Sequence, residues 1–231
     1  AVTGHITFEE TVALAEKWFS PIPRRHVPRR SLPMEPMQTE ERRLTVERNV
    51  PVDALYMAFH MCSRNHPDYY AFDMLSDLLS SGRSSRFVQH LVQDKQIFNS
   101  IDAYISGSID NGLFHIVGKP APEKTLEEAE KAIWEELALL TEGSIDENEL
   151  EKVKNRYESE QIFNNLNYLN VATNLAYFEL IGKAEDINTE VEKYRSVTQE
   201  QIKRAAKQTF LPENCSVLYY KAAAKGASHT P

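Results

Sequence analysis

Histidines are the residues of this chain that could bind a catalytic metal, and their spacing argues against a helical zinc site. Such a site needs two histidines four residues apart, so that both imidazoles face one ion. None of the seven histidines forms such a pair; they are His5, His26, His60, His66, His90, His115 and His229. His60 and Cys62 share one face of a predicted strand, with His66 nearby, but no fourth ligand is in view. We therefore expect no metal or other cofactor to be bound by this chain.

Serines and carboxylates supply no second catalytic pattern. The chain has no Gly-x-Ser-x-Gly turn, and Gly82 stands alone, without a nucleotide-binding glycine motif. Ser84 and Ser85 are placed to cap the helix that follows them. Asp102 and Asp110 flank a predicted hairpin and are candidates for lining a cleft. The acidic side chains of the next predicted helix indicate a solvated face; they are Glu127, Glu128, Glu130, Glu135 and Glu136.

Composition excludes several classes of partner. A net charge of −8 argues against nucleic acid, which binds basic surfaces. The arginines between positions 24 and 30 lie in a proline-rich segment, where a solvated linker is the expected structure. No apolar run approaches the ~20 residues of a membrane span. Cys62 and Cys215 are expected to be free thiols rather than a single bridge.

The N-terminal segment predicts a domain boundary. Ala1–Ile6 has the pattern of a strand end, which indicates a piece cut from a longer protein. Thr7 and Glu10 form a predicted capping box, followed by apolar residues at helical spacing. Five prolines between positions 20 and 40 then indicate an extended linker. We assign residues 1–22 to the end of a preceding domain and residues 23–40 to this linker.

Residues 41–221 predict one α+β domain. A half-exposed strand at 42–50 precedes a strand at 54–62 that is apolar on both faces, and a hairpin spans 97–118. Helical patterns lie between and after these strands, including an apolar one at 166–181 predicted to be buried, and a last strand covers 215–220. Without a regular βαβ alternation, this order favours helices layered on an antiparallel or mixed sheet. Residues 222–231 are expected to be a disordered tail.

Three stretches resemble the second, non-metal-binding domain of the pitrilysin/insulinase family of zinc peptidases, of the processing-peptidase kind, and a fourth resembles the end of the family's first domain. Leu78–Leu91 begins Leu-Leu-Ser-Ser-Gly-Arg-Ser-Ser-Arg, which resembles the family's Leu-Leu-(small)-Ser-Ser-Arg segment, and Leu55–His60 resembles an opening strand of that domain. Gly4–Pro23 resembles the last strand and helix of the first domain with its proline linker. Ile145–Lys154 also matches, so the resemblance covers nearly the whole chain.

The resemblance implies a half-clam domain that closes with a similar half over an extended peptide substrate. The zinc motif belongs to the first half, so zinc is expected in a first domain or partner subunit and not in this chain. The parent would be a zinc metalloendopeptidase, with no catalysis from this chain alone. Many family members also contact the substrate through an Arg and, seven residues later, a Tyr. Those positions are Val92 and Asn99 here, which puts the usual substrate contact in doubt.

Two functions remain open from the sequence. The first is a non-catalytic half that forms part of a peptide-binding cleft. The alternative is a structural or interaction subunit of the same fold with no peptidase role, as in the core subunits of respiratory complexes. A bacterial cell envelope location is expected if the parent has an export signal.

Overall fold

The computed structural model describes residues 1–26, 33 and 35–223. Part of the predicted linker and residues 224–231 of the predicted tail lie outside the described residues. The chain divides into two compact units. The helical unit comprises Ala1–Met37 and Glu158–Glu190, and the sheet unit comprises Gln38–Tyr157 and Val191–Pro231.

The sheet unit is built on five strands in the order β1-β5-β2-β4-β3. Their bounds are β1 Arg42–Arg48, β2 Ala54–Ser63, β3 Phe98–Ser106, β4 Asn111–Pro120 and β5 Cys215–Ala222. β1 pairs with β5 in parallel, and the remaining pairs are antiparallel. The predicted central strand lies between β4 and β5, and the predicted hairpin is β3–β4. This arrangement confirms the α+β fold with a mixed sheet.

Helices complete both units. They are α1 Phe8–Phe19, α2 Tyr69–Ser80, α3 Leu126–Glu142, α4 Glu147–Asn164, α5 Tyr168–Ile181, α6 Glu190–Arg195 and α7 Gln199–Thr209, with a π-helix at Phe87–Asp94. The predicted capping box of Thr7 and Glu10 begins α1. A second capping box, of Thr125 and Glu128, begins α3. No described helix is long and apolar enough to cross a membrane.

The core lies between one face of the sheet and helices α2, α3 and α7. β2 directs Leu55, Met57 and Phe59 into it, and all three are at most 1% exposed. The Phe59 ring meets the rings of Trp134 and Phe210 edge-on, with centroids 5.7 and 5.1 Å apart. Burying one such side chain contributes about 1.5–3 kcal/mol. The helix layer therefore covers this face of the sheet, whereas side chains of the other face such as Tyr56 and Leu44 stay exposed.

Two glutamates of α3 depart from the predicted solvated face. Glu130 and Glu136 are only 6% and 2% exposed. Glu130 accepts hydrogen bonds from Arg43 of β1 and from the Tyr219 hydroxyl of β5, the latter at 2.6 Å. Glu136 contacts Lys95 at 3.2 Å. The prediction was wrong for these two residues because their partners come from distant parts of the sequence.

Helix α5 also departs from its prediction, because it is mostly exposed. Of its residues only Phe178 is buried. Leu169 and Leu180 are 71% and 73% exposed. The apolar side chains of α1 in the same unit are exposed as well, among them Trp18 at 65% and Phe19 at 69%. Monomers rarely expose so many large apolar side chains together without an interaction site.

Candidate functional site

The face of the sheet opposite the helices is the main candidate site. Alternate residues of each strand point to it, such as Tyr56 and Ala58 from β2 and Leu44 from β1. Leu44 is 60% exposed, Tyr104 of β3 48% and Tyr56 40%. Apolar and aromatic side chains thus cover a surface that water still reaches. We call it the open sheet face.

A tyrosine, a histidine and a serine meet on this face. The Tyr104 ring stacks on the His115 imidazole with centroids 4.9 Å apart, and the Ser106 hydroxyl lies 2.9 Å from His115 Nε2. Burial lowers the pKa of His115, so the imidazole is neutral at pH 7. Among the described residues, no carboxylate bonds to His115, so the group that orients the base in a nucleophilic triad is missing. The cluster offers hydrogen bonds and a ring surface to a ligand.

A pocket of about 330 Å³ opens on the same face. Its walls include Leu44, Tyr56, Ala58, Val117 and Leu218, with Arg42 also lining it. The sequence alone could not reveal this pocket, because its walls come from four strands that pair only in the folded chain. We call it the sheet-face pocket.

The two predicted substrate-contacting positions lie at the junction of the π-helix and β3. Val92 is half-buried in the π-helix and packs against the core. Asn99 is exposed at an irregularity of the β3–β4 pairing, where it has no partner residue. Between them, Gln96 has a φ of 49°, in the left-handed region that non-glycine residues rarely adopt. π-Helices and such conformations are frequent at functional sites.

An ion-pair cluster that sequence reasoning missed fastens this junction to α3. His90 Nδ1 lies 2.7 Å from one oxygen of Glu136, and Lys95 Nζ lies 3.2 Å from the other. The Glu136 side chain is 3% exposed. No local signal in the sequence pairs residues 46 positions apart. Because both carboxylate oxygens are bonded, the cluster holds the π-helix in place.

Comparison with family models identifies the protein family of the chain. Residues 1–157 match the family model described as the Peptidase M16 inactive domain. The chain belongs to this family. The match confirms the zinc-peptidase kinship that the sequence predicts.

Relatives and solved structures agree with this assignment to the M16 inactive domains. The uncharacterized zinc protease YmxG of Bacillus subtilis is 24% identical over 91% of this chain and 50% of its own. A protease from Helicobacter pylori superposes with a TM-score of 0.85 at 22% identity, covering 94% of this chain and 54% of that one. The inactive peptidase domain of a putative zinc protease from Bordetella parapertussis gives 0.70 at 17% identity, covering 80% and 99%. The chain spans about half the length of the curated relatives it matches.

The described residues of this M16 inactive domain bring no set of zinc ligands together. Residues 1–26, 33 and 35–223 contain no group of three or more His, Cys, Asp or Glu side chains that could hold a metal ion. His60, Cys62 and His66 do not form such a group. The donor set therefore does not fit the zinc that the family's peptidases use, and no chemical step through zinc is derived for this chain.

The glycine turn before the π-helix is held by α4. Arg86 donates two hydrogen bonds of 2.9 Å to Glu149, and Lys152 Nζ lies 3.1 Å from the Ser84 hydroxyl. Gly82 has a φ of 89°, which favours glycine. The predicted serine caps are wrong, because Ser85 donates its hydroxyl proton to the Gly82 carbonyl. The turn is thus a structural joint of this M16 inactive domain.

Both cysteines of this domain are free thiols. Burial raises the pKa of Cys62 to about 11 and that of Cys215 to about 12. Since only the thiolate reacts, we expect alkylation of Cys62 at neutral pH to be about 100-fold slower in the folded chain than in urea. Mass spectrometry after iodoacetamide treatment measures this, with Cys215→Ser isolating Cys62. Rapid alkylation of the folded chain would contradict the expectation.

Proposed function

We propose that the chain is the non-catalytic half of a zinc-peptidase-like protein, and that its open sheet face forms one wall of a peptide-binding cleft. A zinc-binding first domain or partner subunit would supply the other wall and the metal. Residues 1–22 would belong to that preceding domain, residues 23–40 would be the linker, and residues 41–221 the inactive domain.

The observation that supports this proposal most directly is the asymmetry of the sheet. Helices cover one face, whereas the other exposes Tyr56, Tyr104 and Leu44. Aromatic side chains that combine a large apolar area with a polar tip are favoured where ligands bind. Family membership and the coverage of about half of each curated relative support a second half that faces this surface.

We propose that Val92 and Asn99 still lie at the substrate, but that they bind it more weakly than an Arg and a Tyr would. Val92 is half-buried against the core and offers no polar group. Asn99 is exposed and retains an amide that can bond a peptide carbonyl. The chain would therefore position peptides through its open sheet face more than through this junction.

The alternative is a structural subunit of the same fold whose open sheet face binds a folded protein. The half-buried Val92 favours it, because a position that contacts substrate in many relatives has joined the core here. The two functions differ in what occupies the open sheet face, a flexible peptide or a folded surface.

Site-specific cross-linking tests the proposal. We expect p-benzoylphenylalanine at position 104, on the open sheet face, to cross-link to added unstructured peptides under near-ultraviolet light. The same group at Lys131, exposed on α3 of the helix layer, is the matched control and should give little product. The chain alone should not cleave the peptides. Equal labelling at both positions, or no peptide product at position 104, would overturn the cleft assignment. Products with one folded protein only would favour the structural alternative.

A further inference from the structure

We propose that Glu136 is a positioning residue: by pairing with both His90 and Lys95 it selects the π register of the helix before β3. That register in turn sets how Val92 and Asn99 meet a peptide. In the π register a backbone N–H bonds to the carbonyl five residues earlier, whereas in the α register it bonds to the carbonyl four residues earlier. This inference rests on the proposed function, in which the two positions lie at the substrate.

The backbone of this helix uses both registers within a short stretch. At its end, the Lys95 N–H donates to the His90 carbonyl at 2.9 Å, five residues earlier. At its start, the Gln89 N–H donates to the Ser85 carbonyl at 2.8 Å, four residues earlier. The choice between the registers is therefore made locally, at the last turn of the helix, where the ion-pair cluster lies.

The ion-pair cluster requires His90 and Lys95 on the same side of the helix. His90 Nδ1 lies 2.7 Å from one oxygen of Glu136, and Lys95 Nζ lies 3.2 Å from the other. In an α-helix, with 3.6 residues per turn, side chains five residues apart point about 140° away from each other. One buried carboxylate could then not bind both. The π register places the fifth residue above the first, so the attraction of Glu136 favours that register.

Asp94 opposes the alternative register. In an α-helix the residue four positions after His90 lies on the same side as His90, and that residue is Asp94. Rewinding would therefore bring a second carboxylate toward Glu136, whose side chain is only 3% exposed. Like charges at such a site repel each other with little screening by water. The order of an acid at position 94 and a base at position 95 thus selects the π register by repulsion and attraction together.

The backbone directly after the helix indicates that its conformation is imposed. Gln96 has a φ of 49°, in the left-handed region. A non-glycine residue stays in that region only where its surroundings determine it. The neighbouring Lys95 is fastened to Glu136, and Gln93 Nε2 donates to the Arg83 carbonyl at 3.3 Å. These contacts hold the turn that leads to Gln96.

The register reaches the proposed substrate positions through two fixed points of the core. Leu91 is 0% exposed and Phe98 is 2% exposed, so both ends of the segment between them are held. A change of register must therefore change the path of that segment. Val92 directly follows the first point, and Asn99 follows the second, at the irregularity of the β3–β4 pairing. Glu136 thus acts on a peptide through these two positions, without touching it.

Exchanging two charges in the full chain tests the selection of the register. The double variant Asp94→Lys with Lys95→Asp keeps the net charge and leaves Glu136 in place, but it moves the cation to the fourth position after His90. We expect it to shift the equilibrium from the π toward the α register by at least about tenfold, since an attraction and a repulsion exchange places. NMR couplings across the hydrogen bond measure this, because the amide of position 95 bonds to the carbonyl of position 90 in the π register and of position 91 in the α register.

Photo-cross-linking connects the register to peptide contact. We expect p-benzoylphenylalanine at position 99 to label a biotinylated pool of random-sequence peptides. The charge exchange should lower that yield at least about threefold, because fewer molecules hold the competent register. The yield from the same group at position 104 should not change.

Two controls make the effect specific to the position of the charge. Lys95→Arg keeps a cation at the fifth position after His90, so it should keep both the π register and the yield at position 99. The double variant Glu127→Lys with Lys131→Glu exchanges two charges on the exposed face of α3 and should change neither measurement.

The outcomes separate this inference from the proposed function. A charge exchange that leaves the π register intact would overturn the role of Glu136 and leave the cleft wall standing. A shift to the α register with an unchanged yield at position 99 would overturn the connection to the peptide. An equal loss of yield at positions 99 and 104 would also overturn it. Absence of peptide products at both positions of the otherwise wild-type chain would overturn the proposed function and the positioning role together.

Discussion

Replacing Glu130 with Ala is expected to lower the free energy of unfolding by about 3–5 kcal/mol. The Glu130 carboxylate accepts hydrogen bonds from both terminal nitrogens of Arg43, from the Tyr219 hydroxyl at 2.6 Å and from Trp134 Nε1 at 3.3 Å. Truncation would leave these donors without their acceptor in a site where Glu130 is 6% exposed. Urea unfolding followed by circular dichroism measures the loss.

The matched control is Glu41→Ala, which removes the other carboxylate bonded to Arg43. Its side chain is 30% exposed, and Arg43 Nε lies 2.8 Å from it. Surface ion pairs contribute about 0–1 kcal/mol, so this variant should stay within that range. If Glu130→Ala cost no more than Glu41→Ala, the network would not be what joins β1, β5 and α3.

The same carboxylate gives the fold a pH dependence with a definite sign. Burial acts to raise the pKa of Glu130, but the hydrogen bonds from Arg43 and Tyr219 outweigh it and hold that pKa below its usual value of 4.5. A carboxyl whose pKa is lowered on folding adds stability that is complete above its unfolded pKa and is lost as the pH falls through the folded one. The wild-type chain should therefore lose stability below about pH 4.5 more steeply than Glu130→Gln.

Features set by near neighbours were predictable from the sequence. The boxes at Thr7 and Thr125 each need only a hydroxyl and a glutamate three residues later. The apolar alternation of β2 predicts a strand with neighbours on both sides, and β4 and β5 occupy those places. Each of these signals depends on spacing within a single element, so the helices and strands could be predicted one by one. Their order along the chain then gave the α+β class.

Features that depend on distant partners were not predictable. In the sequence, Glu130 belongs to a charged pattern that predicts a solvated helix face. In the folded chain it is bonded to Arg43 of β1, which lies 87 positions away in sequence. Ser85 has the residue type of a helix cap, but a π-helix follows and the hydroxyl bonds backward to Gly82. The sheet-face pocket likewise exists only once four strands have paired. Local patterns predicted the elements, and tertiary contacts determine which polar groups are buried.

Trp18→Ala is expected to change stability little in this chain and to lower it strongly in the longer protein of which the chain is proposed to be a part. In the chain of 231 residues, Trp18 is 65% exposed, so its removal should change the free energy of unfolding by about 0.5 kcal/mol or less. If residues 1–22 belong to a preceding domain, the longer parent protein buries the indole, and the same substitution should cost about 3–5 kcal/mol there. Urea unfolding of both proteins measures the difference.

Two further variants make that difference specific to α1. Phe59→Ala removes a fully buried ring of the sheet unit and should cost about 3–5 kcal/mol in both proteins. Lys17→Ala changes the neighbour of Trp18 and should cost little in either, because an exposed charge near a helix end contributes about 0.3–1 kcal/mol. An equal cost of Trp18→Ala in both proteins would remove the reason to assign residues 1–22 to the preceding half. A cost confined to the parent would mean that the exposed apolar side chains of α1 are an interface, since only a contact made outside this chain can bury them.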